Sequence, residues 1–235
     1  IGWMKGRRVK ATVAQIIPLT DSIMHLILVP EEYIDYKAGQ YLNIILDGQE
    51  SSYSIANAPL GSHKYELHIR HSSENPFHLR LFEHIREQGV LSLDLPYGDC
   101  SIDKLDSARP VLFIAGGTGF APIKSMMEYL LATGDPRTFE FFWGARARGD
   151  LYMDHLVQNW YQHVTHFNYY AALADEEQSQ PLVSQLMERH GHDLVNYEIV
   201  LSGPFDMVYH VRDTLLNLGV TADHLFSDAF SFEIK

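Results

Sequence analysis

A run of glycines between a predicted strand and a predicted helix is the clearest chemical signal in the chain. It reads Gly116-Gly117-Thr118-Gly119, and Pro122 lies in the first turn of the helix that follows. Glycines let the backbone approach a pyrophosphate closely, and a helix N-terminus offers free N–H groups and the positive end of its dipole. Proline suits this turn because its missing N–H has no helical partner there. The pattern predicts a nucleotide-binding site.

The next predicted strand ends without the acidic residue that binds the ribose of NAD at many such sites. Arg146 stands there instead, after the stretch Phe142-Trp143-Gly144-Ala145. A cation at this position could accept the 2′-phosphate of NADPH, so we expect NADPH to be used at least comparably with NADH. The run also lacks the third glycine of the usual fingerprint, and a tight turn without a ligand is the alternative interpretation.

Four shorter motifs gain meaning from their order along the chain. Each one alone is typical of an ordinary strand or turn. They are Ala38-Gly39-Gln40-Tyr41, Ser51-Ser52-Tyr53-Ser54-Ile55, Ser202-Gly203-Pro204 and the aromatic ending Phe226–Phe230.

The first half of the chain has the pattern of short antiparallel strands. Its candidate strands are rich in β-branched or aromatic residues, and turn residues such as the Asp47-Gly48 pair separate them. One predicted helix, Phe77–Arg86, interrupts the series. Short strands at this spacing predict an antiparallel six-stranded β-barrel. The candidates are Arg8–Ile17, Ser22–Val29, Tyr41–Leu46, Ser52–Asn57, Tyr65–His71 and Val90–Leu95.

The second half alternates compact apolar runs with helical patterns. Such runs are typical of strands buried on both faces, and the alternation predicts an α/β doubly wound parallel sheet. The polar stretch Asp103–Arg109 marks the change of pattern, so we expect a β-barrel domain over residues 1–106 and an α/β domain over residues 107–235. The candidate strands are Val111–Ala115, Phe139–Trp143, Phe167–Leu173 and Glu198–Leu201.

Composition excludes several classes of function. The 235 residues contain 18 Lys and Arg against 30 Asp and Glu, a formal net charge of -12, which speaks against a broad nucleic-acid-binding surface. A single cysteine, Cys100, cannot form an internal disulfide, a cysteine-ligated zinc finger or an iron–sulfur cluster. The 13 histidines include no His-Glu-x-x-His motif, so we expect no metal site.

No apolar run approaches the roughly 18 residues of a membrane span, and no signal-peptide pattern opens the chain. We therefore expect a soluble, cytoplasmic protein with no membrane partner. The printed chain begins at Ile1, and Met4 is a possible start.

Taken in order, the motifs resemble the ferredoxin–NADP reductase superfamily. Within it, the chain length and the ending Asp223–Phe232 resemble the bacterial NAD(P)H:flavin oxidoreductases, which include the luciferase-associated flavin reductases. The resemblance runs from about Val9 to Phe232. It implies a flavin-binding β-barrel and an NAD(P)-binding α/β domain, with the isoalloxazine ring between them.

The resemblance also implies roles for individual residues. Ser54 would place its hydroxyl near flavin N5, the atom that accepts hydride, and is the candidate catalytic residue. Gly203 and Pro204 would help to seat the nicotinamide. The implied flavin contacts are Tyr41, Tyr53, Ser54, Ile55, His68 and Ile69. The nucleotide contacts are Gly116, Gly117, Thr118, Gly119, Pro122 and Arg146, and Phe230 is the C-terminal aromatic residue of the site.

Two positions depart from the family pattern. Relatives usually carry an arginine three residues before the motif serine, where it pairs with the flavin phosphate, and Ser51 stands there in this chain. Arg70 replaces the glycine that follows His-Ile in relatives. A phosphate partner is thus absent at one position and a cation is present at another. Arg70, Arg86 and Lys124 are the candidate substitutes.

The sequence predicts an NAD(P)H-dependent flavin reductase that reduces weakly bound riboflavin, FMN or FAD and releases it. One alternative is an electron-transfer reductase with tightly bound flavin that serves a ferredoxin, an oxygenase or a sugar-deoxygenating partner. Another is a non-catalytic nucleotide-binding regulator whose flavin site has decayed. We expect a monomer or weak dimer whose ligands are a flavin and a nicotinamide nucleotide.

Overall fold

The computed structural model of the chain describes residues 6–232, so Met4 lies outside the described residues. The chain divides into two compact units. One contains the residues up to Ile102 together with Lys124–Thr133, and the other contains Asp103–Ile123 and the residues from Gly134 onward. Within residues 6–232, no helix is long and apolar enough to cross a membrane.

The first unit is built on a six-stranded antiparallel sheet that forms a half-barrel, which confirms the predicted architecture. The strand order is β4-β3-β6-β1-β2-β5. Asp47 and Gly48 both have positive φ, as a two-residue hairpin between β3 and β4 requires. The strands are β1 Arg7–Pro18, β2 Ile23–Pro30, β3 Tyr41–Leu46, β4 Gln49–Ser54, β5 Tyr65–Arg70 and β6 Val90–Tyr97.

One prediction in this unit was wrong in its bounds. The sequence predicted a strand over Ser52–Asn57, but β4 covers Gln49–Ser54. The hairpin starts β4 directly after Gly48, and the backbone after Ser54 leaves β3 to bond elsewhere in the unit. The motif Ser51–Ile55, which the family resemblance assigns to flavin and which is called the flavin motif below, therefore lies at the end of a strand rather than within one.

Among residues 6–232, one helix lies wholly within this unit. Helix α1 covers Pro76–Gln88 and begins after Asn75, whose side chain accepts hydrogen bonds from the first turn. Leu81 and Ile85 are one turn apart and buried in the core of this unit. The predicted helix over Phe77–Arg86 is confirmed.

The second unit is a five-stranded parallel sheet with helices, as predicted. Its strand order is β11-β10-β7-β8-β9. The chain runs from β7 to β8 and β9 on one side, then crosses to β10 and β11 on the other, so β7 and β10 flank a topological switch point. The strands are β7 Val111–Gly116, β8 Phe139–Ala145, β9 Phe167–Leu173, β10 Glu198–Ser202 and β11 Leu225–Phe226.

Four helices connect these strands. They are α2 Phe120–Ala132, α3 Asp154–His163, α4 Leu182–His190 and α5 Phe205–Asn217. The contiguous apolar strands are explained by burial on both faces, since every residue of β7 is buried. Strand β11 was not predicted because two residues carry no periodic pattern.

A buried ionic cluster lies within the second unit. Glu140 of β8 is 2% exposed and binds Arg189 and His190 of α4, and His190 also contacts Asp193 at 2.9 Å. Burial acts to lower the pKa of His190, but hydrogen bonds and charge from Glu140 and Asp193 raise it above its ordinary 6.5. Burial likewise acts to raise the pKa of Glu140, yet His190 and Arg189 bring it below its ordinary 4.5.

These two shifts predict a pH-dependent contribution to stability. A raised histidine pKa stabilises the fold fully below pH 6.5, and this contribution is lost as pH rises through the folded-state pKa. A lowered glutamate pKa stabilises above pH 4.5, and its contribution is lost as pH falls through the folded-state pKa. The charged pair is therefore most stabilising between pH 4.5 and 6.5.

We expect Glu140→Gln to lower the free energy of unfolding by about 3 kcal/mol near pH 6, because it leaves the buried His190 cation without its carboxylate partner in β8. The loss is expected to be smaller near pH 9, because the contribution of His190 is lost as pH rises through its folded-state pKa. Urea denaturation at both pH values measures it. Glu176→Gln is the control, since its exposed pair with Arg148 contributes at most about 1 kcal/mol. An equal loss at both pH values would contradict the assignment.

Candidate functional site

The glycine turn and the loop after β10 approach each other closely at the switch point of the second unit. A Cβ added at Gly119 would overlap the Ser202 carbonyl oxygen and lie 2.7 Å from the Gly203 nitrogen. Gly203 has a φ of +150° and packs on the backbone of Gly116. The structure thus brings together the predicted residues Gly116–Gly119, Gly203 and Pro204 at one edge of the sheet.

This edge has the geometry that a nucleotide phosphate needs. Gly117, Thr118 and Gly119 form a half-buried single turn that leads directly into α2. Pro122 is buried in the first turn of α2, where a missing N–H costs no helical bond. Open α/β sheets bind ligands outside the carboxyl ends of their strands at such a switch point. The residues therefore fit a nicotinamide nucleotide.

Trp143 contacts the glycine turn from the core of the second unit. It was not among the site residues predicted from the sequence. It lies near the end of β8 and is fully buried. Its indole Nε1 donates a hydrogen bond of 3.1 Å to the Gly117 carbonyl, and its ring stacks on Phe120 with centroids 4.3 Å apart. A tryptophan directly before Gly144 at a strand end was the available signal, but only the parallel pairing of β7 with β8 places it under the turn.

Arg146 is exposed after the end of β8, where the sequence predicted it. Its carbonyl accepts a 2.8 Å hydrogen bond from Asp175 in the loop after β9. Beside it, a cleft of about 400 Å³ opens between the ends of β8 and β9. The cleft is lined by Gly144, Ala145, Ala172, Leu173, Ala174, Ser179, Gln180, Pro181 and Leu182.

The first unit places the two central flavin-motif residues at the end of β4. Ser54 is half-buried and pairs with Tyr41 of β3, whose ring lies 5.8 Å from that of Tyr97. Tyr53 hydrogen-bonds His78 Nε2 through its hydroxyl at 3.2 Å, and burial raises the pKa of Tyr53. The Ser54 hydroxyl and the partly exposed rings of Tyr41 and Tyr53 form a surface that suits a flavin ring.

Three other predicted flavin residues are less accessible. Ile55 and Ile69 are fully buried in the hydrophobic core of the first unit, so their side chains pack there. His68 is 5% exposed, and its ring meets His25 edge-on at 5.4 Å. Burial, with smaller effects of Lys124 and His25, holds the pKa of His68 well below its ordinary value. His68 is therefore neutral at physiological pH.

Phe230 packs within the second unit against α5. Its ring lies 6.4 Å from that of Tyr209 and 5.7 Å from the guanidinium carbon of Arg212. The Tyr209 hydroxyl also bonds the Ala229 carbonyl at 3.0 Å, which ties the C-terminal segment to the helix. A role of Phe230 in binding stays a prediction.

Between residues 6 and 232, no group of three or more potential metal-binding side chains comes together.

Comparison with known proteins agrees with this geometry. Residues 113–213 match the family model described as the oxidoreductase NAD-binding domain. The chain is 30% identical over 248 residues to the reductase component of propane 2-monooxygenase from Mycolicibacterium goodii, covering 100% of this chain and 71% of that protein. It is 28% identical over 235 residues to the NAD(P)H-flavin reductase of Vibrio harveyi, covering 95% and 99%.

A further relative is a CDP-6-deoxy-L-threo-D-glycero-4-hexulose-3-dehydrase reductase from Yersinia pestis, 33% identical over 213 residues and 89% of this chain. The chain spans 64% of the length of that relative. Among solved structures, the ferredoxin reductase of a carbazole 1,9a-dioxygenase superposes with a TM-score of 0.81 at 24% identity, over 98% of this chain and 71% of that one.

The parallel sheet with its glycine turn lies in the part of the chain that matches the oxidoreductase NAD-binding domain, and both units have the fold of a ferredoxin reductase. The chain belongs to the ferredoxin–NADP reductase superfamily, in the family that includes NAD(P)H-flavin reductases and the reductase components of oxygenases. Membership supports NAD(P)H and flavin as its cofactors, as the sequence resemblance implied.

We expect Gly119→Ala to weaken NADPH binding at least about tenfold, because overlap with the loop after β10 forces the two loops apart and overpacking costs about 1–3 kcal/mol. Titration with NADPH measures this loss. Gly149→Ala is the matched control, since an added Cβ there meets nothing within 4 Å. Equal NADPH affinity in both variants would show that the close approach is not required.

Proposed function

We propose that the chain is an NAD(P)H:flavin oxidoreductase that reduces a weakly bound riboflavin, FMN or FAD and releases the product. The bound nicotinamide and flavin supply the hydride-transfer chemistry, from C4 of one ring to N5 of the other. The observation that carries the proposal is the match to the Vibrio harveyi NAD(P)H-flavin reductase, which extends over 99% of that protein.

In this proposal the residues of the chain bind and orient rather than transfer protons. The backbone of Gly117, Thr118 and Gly119 binds the nucleotide phosphate, and Gly203 with Pro204 seats the nicotinamide. Tyr41 and Tyr53 contact the flavin ring, and Ser54 donates a hydrogen bond at its N5 edge. Holding the two reacting rings in an attack geometry accounts for most of the acceleration, because the hydride itself needs no acid or base.

Weak flavin binding is supported by the residue at position 51. The family resemblance implies an arginine there that pairs with the flavin phosphate, and this chain has Ser51 instead. Recognition therefore depends mainly on the isoalloxazine ring.

The three candidate phosphate partners differ in availability. Lys124 is buried and bound to Ala56 and Glu128, whereas Arg70 is exposed and contacts Ser22 at 3.2 Å. Arg86 is exposed beside an open cleft of about 430 Å³ that Ile16, Met24, His71 and Phe82 also line. Arg70 and Arg86 are therefore the rival partners for a phosphate.

The second candidate function is an electron-transfer reductase with tightly held flavin. It is favoured by the relatives from Yersinia pestis and Mycolicibacterium goodii, which are reductases of a dehydrase and of a monooxygenase. An oxygenase or another electron-accepting protein would then be the partner. The cytoplasmic location and the monomeric or weakly dimeric state expected from sequence remain part of the proposal.

The test is the colour and turnover of the purified full chain. A colourless protein that oxidises NADPH or NADH only when riboflavin, FMN or FAD is added supports the flavin reductase. A yellow protein that retains its flavin through gel filtration supports the electron-transfer reductase. A colourless protein that oxidises neither nucleotide with any added flavin contradicts both and favours a regulator.

We expect Ser54→Ala to raise the KM for riboflavin by about fivefold and to lower kcat without unfolding the sheet, because one hydrogen bond contributes about 1 kcal/mol. Steady-state kinetics measure both constants. Ser52→Ala is the control on the same strand, since Ser52 is exposed and its hydroxyl donates to Asn43 at 2.6 Å. Unchanged kinetics in Ser54→Ala would remove Ser54 from the site.

We expect riboflavin to be at least as good a substrate as FMN, and Ser51→Arg to shift the preference towards FMN by about tenfold, since a charge-assisted phosphate contact is worth about 1.5–3 kcal/mol. The ratio of kcat/KM values measures it. Ser52→Arg adds the same charge on the opposite face of β4 and serves as control.

The contrary result is a wild-type preference for FMN of tenfold or more, about 1.4 kcal/mol. Another cation would then hold the phosphate, and substitution of Arg86 and Arg70 would identify it.

A further inference from the structure

The three residues after Ser54, Ile55–Asn57, form a segment whose backbone is bonded on several sides. The Ile55 N–H donates to the Gln40 carbonyl at 3.1 Å, and the Ala56 N–H donates to the Glu66 carbonyl at 2.7 Å. The Asn57 side chain accepts from the Glu66 N–H at 2.9 Å. The backbone that carries Ser54 therefore continues directly into a fixed segment.

Two side chains of α2 bind the carbonyl groups of this segment, within the first unit. Lys124 Nζ donates to the Ala56 carbonyl at 3.1 Å, and Ser125 Oγ donates to the Asn57 carbonyl at 3.1 Å. Lys124 is 6% exposed and Ser125 is fully buried. The Asn57 carbonyl also accepts from the Tyr36 hydroxyl at 2.6 Å, so it has two donors.

Burying a lysine ammonium costs desolvation free energy, which is large compared with the gain from one hydrogen bond to a carbonyl. Lysine is almost never fully buried unless it is paired, and the chain supplies a partner one turn later in Glu128. Burial raises the pKa of Glu128, although Lys124 opposes that shift. An apolar side chain of similar length at position 124 would fill the space but leave the Ala56 carbonyl without the ammonium donor.

We propose that Lys124, assisted by Ser125, is a positioning residue for flavin binding. It fixes Ala56, and Ala56 is separated from Ser54 only by Ile55, whose side chain is fully buried. A displacement of Ala56 therefore moves the Ser54 hydroxyl and the Tyr53 ring together, and small misplacements in a reacting geometry are costly. This inference rests on the proposed function, because it assigns the flavin to the Tyr53–Ser54 surface.

The test compares wild type with Lys124→Met, Lys124→Arg and Ser125→Ala in the full chain. Riboflavin affinity is measured by fluorescence quenching, and KM values for riboflavin and NADPH, kcat and Tm are measured alongside. We expect Lys124→Met to weaken riboflavin binding about tenfold, as for loss of a charged hydrogen bond, while the KM for NADPH stays within about twofold. Lys124→Arg restores most of the affinity because it keeps a cationic donor.

A purely structural role predicts a different pattern. Lys124→Met would then lower Tm and the active fraction but leave the riboflavin dissociation constant of the folded protein unchanged, and that result overturns the proposal. If Lys124→Met does not fold, Ser125→Ala decides. A rise in the riboflavin dissociation constant of about threefold supports positioning, since the Tyr36 donor remains, and no rise overturns it.

The design separates this inference from the proposed function. A wild-type protein that binds riboflavin but oxidises neither NADPH nor NADH with any added flavin contradicts the function, while the riboflavin dissociation constants of the variants still test the role of Lys124. A wild-type protein that reduces riboflavin, with Lys124→Met equal to it in riboflavin affinity, contradicts only the role of Lys124. A wild-type protein that binds none of riboflavin, FMN and FAD contradicts both, and if only FMN or FAD binds, the same variants are compared with that flavin.

Discussion

The close approach of two loops at the switch point of the parallel sheet is the constraint on which the proposed nucleotide site depends. Gly119 leaves no room for a side chain against Ser202, and Gly203 in turn packs on Gly116. Because both loops follow neighbouring parallel strands, their contact forms a continuous backbone surface at the carboxyl edge of β7 and β10. Trp143 then fixes this surface from within the core by bonding the Gly117 carbonyl.

The flavin motif is organised by a different means. Its hydroxyl and aromatic residues lie at the end of β4, and the chain beyond them is held by backbone hydrogen bonds to Gln40 and Glu66 together with buried polar side chains of α2. Burying such a polar group costs free energy unless the group is hydrogen-bonded. A conformation in which every group has its partner is therefore strongly preferred over alternatives. Lys124 with Glu128 is the clearest case, since both charges meet within one turn of α2.

Membership of the superfamily limits the chemistry without choosing the acceptor. The relatives include an NAD(P)H-flavin reductase and the reductases of a dehydrase and of a monooxygenase. The distinguishing property is how firmly the flavin is held. The proposal that the flavin leaves rests on Ser51, which stands where the family resemblance implies an arginine for the flavin phosphate.

The sequence by itself determined the two architectures, because strands buried on one face alternate apolar and polar residues whereas strands buried on both faces are continuously apolar. It also located the glycine turn, which lies between a predicted strand and a predicted helix. It predicted the strand that carries the flavin motif over Ser52–Asn57, whereas β4 covers Gln49–Ser54, because hydrophobic periodicity does not show where the hydrogen bonds between two strands end. It also selected Ile55 and Ile69, whose side chains proved to be core. Only the tertiary structure decided the roles of Trp143 and Lys124, because their hydrogen bonds join residues far apart in the chain.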